Sequence, residues 1–202
     1  MREKGEMKNS IREDSFLTKF SLVDYLIALF RYKKVLKHLK KNSSVLDIGS
    51  GYNAHLLNHI SNLISRGVGL DISVNESKQT NKISLIKWDL NSKTFPLTEK
   101  FDVAFCLAVL EHVLEPKNLL TNIYNSLKER GTLLLTVPTW KSKSLLEFSA
   151  FKLNIISRQE IADHKRYFDK SELVSLCNEA GFRDITHNYF QLGLNNFVLA
   201  RK

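Results

Sequence analysis

Three carboxylates and two histidines stand out by type and position. Asp47 falls near the end of the apolar run Val45-Leu46-Asp47-Ile48, Asp71 ends Val68-Gly69-Leu70-Asp71, and Asp89 follows the run from Ile83 to Trp88. Runs of this kind read as strands, so each acid falls at the carboxyl end of one. A single acid there is common in loops; three in succession form a much more specific signal. Such a carboxylate can hold a cation or, through its two acceptor oxygens, a vicinal diol. After Asp47 comes Gly49-Ser50-Gly51-Tyr52-Asn53-Ala54. Gly49 and Gly51 lack the Cβ that would keep a ligand off the backbone. A helix beginning just beyond them would offer unpaired N–H groups to a polar or anionic group. Asn53 is a residue that tolerates a left-handed backbone. An imidazole in water has a pKa near neutrality, so a histidine such as His112 or His164 could take a proton; each could equally be a hydrogen-bonded structural residue.

The glycine pattern has two chemical readings. Gly49-x-Gly51-x-x-Ala54, with an acid about 20 residues on at Asp71, fits a dinucleotide fingerprint and hence an oxidoreductase. Asp47 argues against that reading, because a pyrophosphate would lie close to it and like charges repel strongly at low dielectric. The same carboxylate suits a ligand with a cationic end, such as the ammonium of an amino acid.

Gathering these residues requires a doubly wound α/β fold whose strands share one carboxyl edge. Residues 16 to 40 carry a helical pattern in Phe16, Phe20, Val23, Ile27 and Phe30, then Val35, Leu36 and Leu39. Leu56, Leu57, Ile60, Leu63 and Ile64 predict a helical face stopped by Gly67. Phe101 to Cys106 predicts a fourth strand, and Pro116 opens a helix carrying Leu119, Leu120, Ile123 and Leu127 to a stop at Gly131. Thr132 to Val137 is a fifth, near-continuous apolar strand, as expected when both faces are covered. A helix from about Ser171 to Ala180 is stopped by Gly181. Phe182 to Tyr189 and Asn196 to Ala200 then predict two strands around Gly193, and so short a loop forces an antiparallel pair. The chain divides into an N-terminal tail and helices, 1–40, and one domain, 41–202. Within it the apolar stretch 139–168 is either a cover over a substrate or a helix of the core layer.

Asp47-x-Gly49-x-Gly51 resembles motif I of the class I S-adenosylmethionine-dependent methyltransferases. Leu110-Glu111-His112 after strand four is similar to a common signature of the small-molecule members, and the terminal hairpin to their variant of the fold. The resemblance covers about residues 40 to 202 and is weakest from 139 to 160. It implies a mostly parallel seven-stranded sheet and S-adenosyl-L-methionine as cofactor. It implies cofactor contacts from Asp47, Gly49, Ser50, Gly51, Asn53, Asp71, Ile72, Asp89, Leu90 and Leu107. The family usually has a third glycine where this chain has Asn53. Methyl transfer from a sulfonium needs orientation above all, and a base only if the acceptor must lose a proton. His112 and His164 are the candidates for that base.

The acceptor is less legible. There is no Asn-Pro-Pro-Tyr-like run and no Pro-Cys loop; Cys106 and Cys177 lie in apolar segments and predict neither a disulfide framework nor a metal site. The net charge of +9 comes from 30 basic and 21 acidic residues and is scattered outside the run from Arg31 to Lys41. The expectation is a small-molecule acceptor methylated at oxygen or nitrogen. The alternatives are an RNA-modifying enzyme using that basic run and a non-catalytic module that keeps the fold. With 43% hydrophobic residues, a charged N-terminus and no apolar stretch able to span a bilayer, the chain reads as a soluble cytoplasmic protein. Oligomeric state is not legible.

Overall fold

Apolar runs that alternate with short loops pair into one seven-stranded sheet. The strands are β1 (Ser43–Ile48), β2 (Ile64–Asp71), β3 (Ile83–Lys87), β4 (Phe101–Leu107), β5 (Leu127–Pro138), β6 (Arg183–Phe190) and β7 (Asn195–Arg201). Their order is β3-β2-β1-β4-β5-β7-β6. The first five are mutually parallel, and β7 joins β5 and β6 antiparallel. The expected mostly parallel sheet with a terminal hairpin is therefore the observed one. The computed structural model describes residues 22–142 and 166–202, with side chains from Ala28 onward.

Alternate residues of the central strands feed two apolar layers. Leu46, Ile48, Ala104, Cys106, Leu133 and Leu135 face a layer completed by α3 (Pro116–Ser126) and α4 (Lys170–Glu179). Val45, Val103, Phe105 and Leu134 face the other layer, with α1 (Leu22–Leu36) and α2 (His55–Ile60). Pro116 opens α3 as expected, where its missing N–H costs nothing. Asp169 caps α4 by accepting from the Glu172 backbone N–H at 2.8 Å.

Three expectations fail for local reasons. Gly67 does not stop a helix. Helix α2 ends at Ile60, Ile64 already pairs with Ser43, and Gly67 lies inside β2. A Cβ there would stand 2.9 Å from Leu57 Cδ2, so α2 packs closely over the sheet at this position. Gly131 likewise lies inside β5, just past a register shift of that strand in which Arg130 has φ 64°, and α3 ends five residues earlier at Ser126. Phe30, expected on the packed face of the first helix, is 60% exposed. Phe16, Phe20, the apolar run from 145 to 156 and His164 lie outside the described residues.

Candidate active site

Strand β1 sits between β2 and β4, so Asp47 emerges at the centre of the carboxyl edge. It is buried, at 3% exposure. Desolvation, and secondarily the negative charge of Asp71, push its pKa up to about 8. The chain then turns sharply over β2. The Gly49 and Ser50 N–H groups donate to Leu70 O at 2.8 and 3.2 Å. The Gly51 N–H donates to Asp71 Oδ2 at 2.8 Å, and the Ser73 N–H to Asp71 Oδ1 at 3.0 Å. Asp71 thus fastens the glycine turn to the end of its own strand.

The two glycines do different work. Both adopt positive φ, 69° and 70°. A Cβ at Gly49 would stand 2.3 Å from Val109 Cγ2, so this position is closed by the turn that follows β4. A Cβ at Gly51 would meet nothing within 4 Å. Only Gly51 leaves bare backbone facing open space. Asn53 is not left-handed; that conformation falls on Ala54, φ 45°, which precedes α2. Asn53 instead accepts through its carbonyl from Asn58 Nδ2 at 3.0 Å, and its Oδ1 accepts from Asn75 Nδ2 at 3.4 Å. Helix α2 has six residues and no side-chain cap.

The remaining residues of the pattern lie along the same edge. Ser50 is buried with no hydrogen-bond partner for its Oγ. Ile72, next to Asp71, is 66% exposed. Asp89 lies two residues past β3 and accepts through Oδ1 from the Asn91 backbone at 2.9 Å; Asn91 Oδ1 in turn accepts from the Leu114 N–H at 2.8 Å. Leu90 packs on one apolar layer and Leu107 on the other. His112 closes the short helical turn Leu110–His112, its N–H donating to Val109 O at 2.9 Å. Cys106 and Cys177 are buried free thiols, raised in pKa chiefly by burial, and serve as packing residues. Among the described residues no group of three or more His, Cys, Asp or Glu could hold a metal ion.

Helix α1 adds residues that the sequence reading left aside. Arg31 opens the basic run, yet its Nε is sealed from solvent without a partner. Burial lowers the pKa of Arg31, opposed by the charge of Glu111. Tyr32 is pushed up to about 12 by burial and then by Asp47. Glu111 is 1% exposed, neither of its oxygens has a partner, and burial raises its pKa to about 7. Glu111 stood within the Leu-Glu-His run beside the more conspicuous histidine. Arg31 and Tyr32 carried the periodicity of an amphipathic helix, which marks the buried face but not a buried charge.

Where β5 ends and β7 begins, a cleft of about 260 Å³ is lined by Thr139, Trp140, Lys141, Phe168, Tyr189 and Gly193, among others. The Trp140 and Tyr167 rings lie 5.3 Å apart beside it. Asn196 is buried behind it, its Nδ2 donating to Phe168 O at 3.1 Å and its Oδ1 paired with His187 Nε2 at 2.8 Å.

The sequence matches the family described as a methyltransferase domain over residues 22–187. A ubiquinone biosynthesis O-methyltransferase from Glaesserella parasuis is 30% identical over 104 residues, covering 50% of this chain and 44% of that protein. The chain therefore spans less than half the length of that curated relative. An S-adenosylmethionine-dependent methyltransferase from Archaeoglobus fulgidus superposes with a TM-score of 0.63 at 19% identity, covering 87% of this chain and 93% of the other. The N-methyltransferase NodS from Bradyrhizobium japonicum, solved with S-adenosyl-L-homocysteine, gives 0.60 at 13% identity, with 85% of each chain covered. A family match over this span, on a sheet with this strand order and terminal hairpin, places the chain in the class I S-adenosylmethionine-dependent methyltransferases.

Proposed function

We propose that this chain transfers a methyl group from S-adenosyl-L-methionine to a small-molecule acceptor, at oxygen or nitrogen. The observation that carries the proposal is the pairing of open backbone at Gly51 with the buried carboxyl of Asp47 two strand positions before the turn. Gly51 gives the cofactor's tail close approach, and Asp47 meets its ammonium. In this reading Asp71 accepts from the ribose hydroxyls, Ile72 and Leu90 flank the adenine, and Asp89 accepts from its amino group. Ser50, Asn53 and Leu107 complete the rim. The bound cofactor supplies an electrophilic methyl on a sulfonium; the protein supplies orientation and a dry, polar setting.

A small acceptor is supported by the name of the curated relative, a ubiquinone biosynthesis O-methyltransferase. It is also supported by the aromatic cleft at the carboxyl end of β5, whose size suits a ring rather than a duplex. In the basic run Arg31 points inward and Lys34 lies over the Phe197 ring at 5.0 Å, while Lys33, Lys37, Lys40 and Lys41 are exposed. For a hydroxyl acceptor, His112 is assigned as the base, with His164 as the second candidate. No described helix is long and apolar enough to cross a membrane. A screen of phenolic, hydroxyl and amine metabolites with labelled methyl donor tests the proposal. Label in a small product supports it; label confined to RNA, or none with any acceptor, contradicts it.

A further inference from the structure

The carboxyl edge of the sheet falls into two halves. Asp47, Asp71 and Asp89 stand at or just past the ends of β1, β2 and β3, which are neighbours on one side. On the cofactor reading of the site they spread the cofactor over that half. The acceptor is left the other half, where β4 and β5 end and β7 begins. The aromatic cleft of about 260 Å³ lies there.

Its walls are fixed from behind. Thr139 ties the two strand ends together, its N–H donating to Leu194 O at 2.9 Å and its Oγ1 to Gly193 O at 2.8 Å. Asn196 Nδ2 donates to Phe168 O, so its Oδ1 is the atom turned to His187, whose Nε2 donates to it at 2.8 Å. The His187 ring meets Tyr189 edge-on, with centroids 4.7 Å apart. Trp140 lies beside the buried ring of Tyr167. Trp140 and Tyr189 are held in this way yet are more than half exposed, so they offer a stacking surface to a further ring. The charges of the cleft are uneven. Its lining holds one cation, Lys141, and one anion, Asp169. The Asp169 carboxylate is committed to the start of α4, where Oδ1 accepts from the Glu172 N–H at 2.8 Å and from Ser171 Oγ at 2.7 Å. These bonds hold its pKa below the usual carboxylate value. Arg166, beside the Phe168 ring, is paired with Glu172 at 2.6 Å. Lys141 is exposed and has no ion pair among the described residues.

A pair of anchored rings with an unanswered ammonium between strand end and solvent matches a flat ligand that carries a negative charge. We infer that the acceptor is an aromatic ring bearing a carboxylate, stacked on Trp140 and Tyr189 with its charge met by Lys141. Lys141 is then a specificity-determining residue, which selects the ring by charge and fixes one end of it. The inference rests on the cofactor reading and names the substrate class of the same site.

The test titrates para-hydroxybenzoate and the uncharged para-hydroxybenzamide into the chain saturated with S-adenosyl-L-homocysteine, by calorimetry. Wild type is expected to bind the acid about fivefold more tightly than the amide, the upper range for a partly exposed ion pair, and added salt to shrink that preference. Lys141→Gln is expected to lose the preference and Lys141→Arg to keep it. Tyr189→Leu is expected to weaken both probes alike, because it removes stacking and not charge. Titration of S-adenosyl-L-homocysteine alone reports that each variant is folded. A preference that survives Lys141→Gln, equal binding of acid and amide by wild type, unweakened binding by Tyr189→Leu, or no binding of either probe to a chain that binds S-adenosyl-L-homocysteine overturns the inference and leaves the cofactor reading standing. No binding of S-adenosyl-L-homocysteine by wild type removes that reading, and the inference with it.

Discussion

The backbone N–H of Gly51 donates to Asp71 Oδ2 at 2.8 Å, joining the one open backbone position of the glycine turn to the acid that ends the neighbouring strand. The loop and the proposed ribose acceptor are thereby a single unit. Asp71→Ala removes this bond and the one from Ser73. We expect a stability loss of about 1.5–3 kcal/mol, the range for hydrogen bonds to a charged group, and a larger proportional loss of affinity for S-adenosyl-L-homocysteine. Urea denaturation and calorimetric titration of one preparation check both. Full affinity in Asp71→Ala contradicts the assignment.

Gly49 and Gly51 separate packing from binding. Gly49→Ala places a methyl 2.3 Å from Val109 Cγ2 at φ 69°. Overpacking and left-handed strain together cost about 2–5 kcal/mol, and Val109→Ala in the same chain recovers part of it. Gly51→Ala meets no protein atom, so it loses only the strain of about 1–2 kcal/mol, yet its methyl enters the space assigned to the cofactor. The expected pattern is a low Tm for Gly49→Ala and a near-normal Tm with at least tenfold weaker ligand binding for Gly51→Ala.

Asp47 gives a pH signature. Its pKa is pushed from 3.8 up to about 8 by burial and then by Asp71. The folded form keeps a proton that the unfolded chain has released, so stability falls as pH rises from about 4 to 8, by up to about 1.4 kcal/mol per pH unit. The contribution is fully present below pH 4 and gone above pH 8. A bound ammonium favours the ionised form, so binding expels the proton and affinity climbs with pH up to about 8. Asp47→Asn is expected to raise Tm at neutral pH, flatten the stability profile and abolish the rise in affinity. Thermal scans and titrations between pH 5 and 8 check these outcomes.

Asn196 holds the back of the aromatic cleft. Asn196→Ala leaves Phe168 O and His187 Nε2 without their partner at the β7 end. Losing a buried network of this kind costs about 2–4 kcal/mol. Cofactor affinity is expected to stay near wild type, because the cleft lies at β5 and β7 rather than at the glycine turn. A matched loss of cofactor binding, measured by the same titration, contradicts that separation.

The strands were legible because period and β-branching survive tertiary packing, and the acids were legible because each follows such a run. Glycine roles were not. Gly67 and Gly131 look like helix stops in sequence, whereas strand pairing sets them inside β2 and β5. Asn53 carries a side chain that tolerates the left-handed conformation, but the turn puts that conformation on Ala54. Arg31 and Glu111 were missed because a charge on an amphipathic helix or beside a histidine carries no mark of burial until the neighbouring turn is in place.

Titration of S-adenosyl-L-homocysteine into the wild-type chain and into Asp47→Asn tests the central claim most directly, which is that a buried acid beside open backbone at Gly51 holds the amino-acid end of the cofactor. The account predicts saturable one-to-one binding by wild type and at least tenfold weaker binding by a folded Asp47→Asn. No binding by wild type, or equal binding by both, would contradict it.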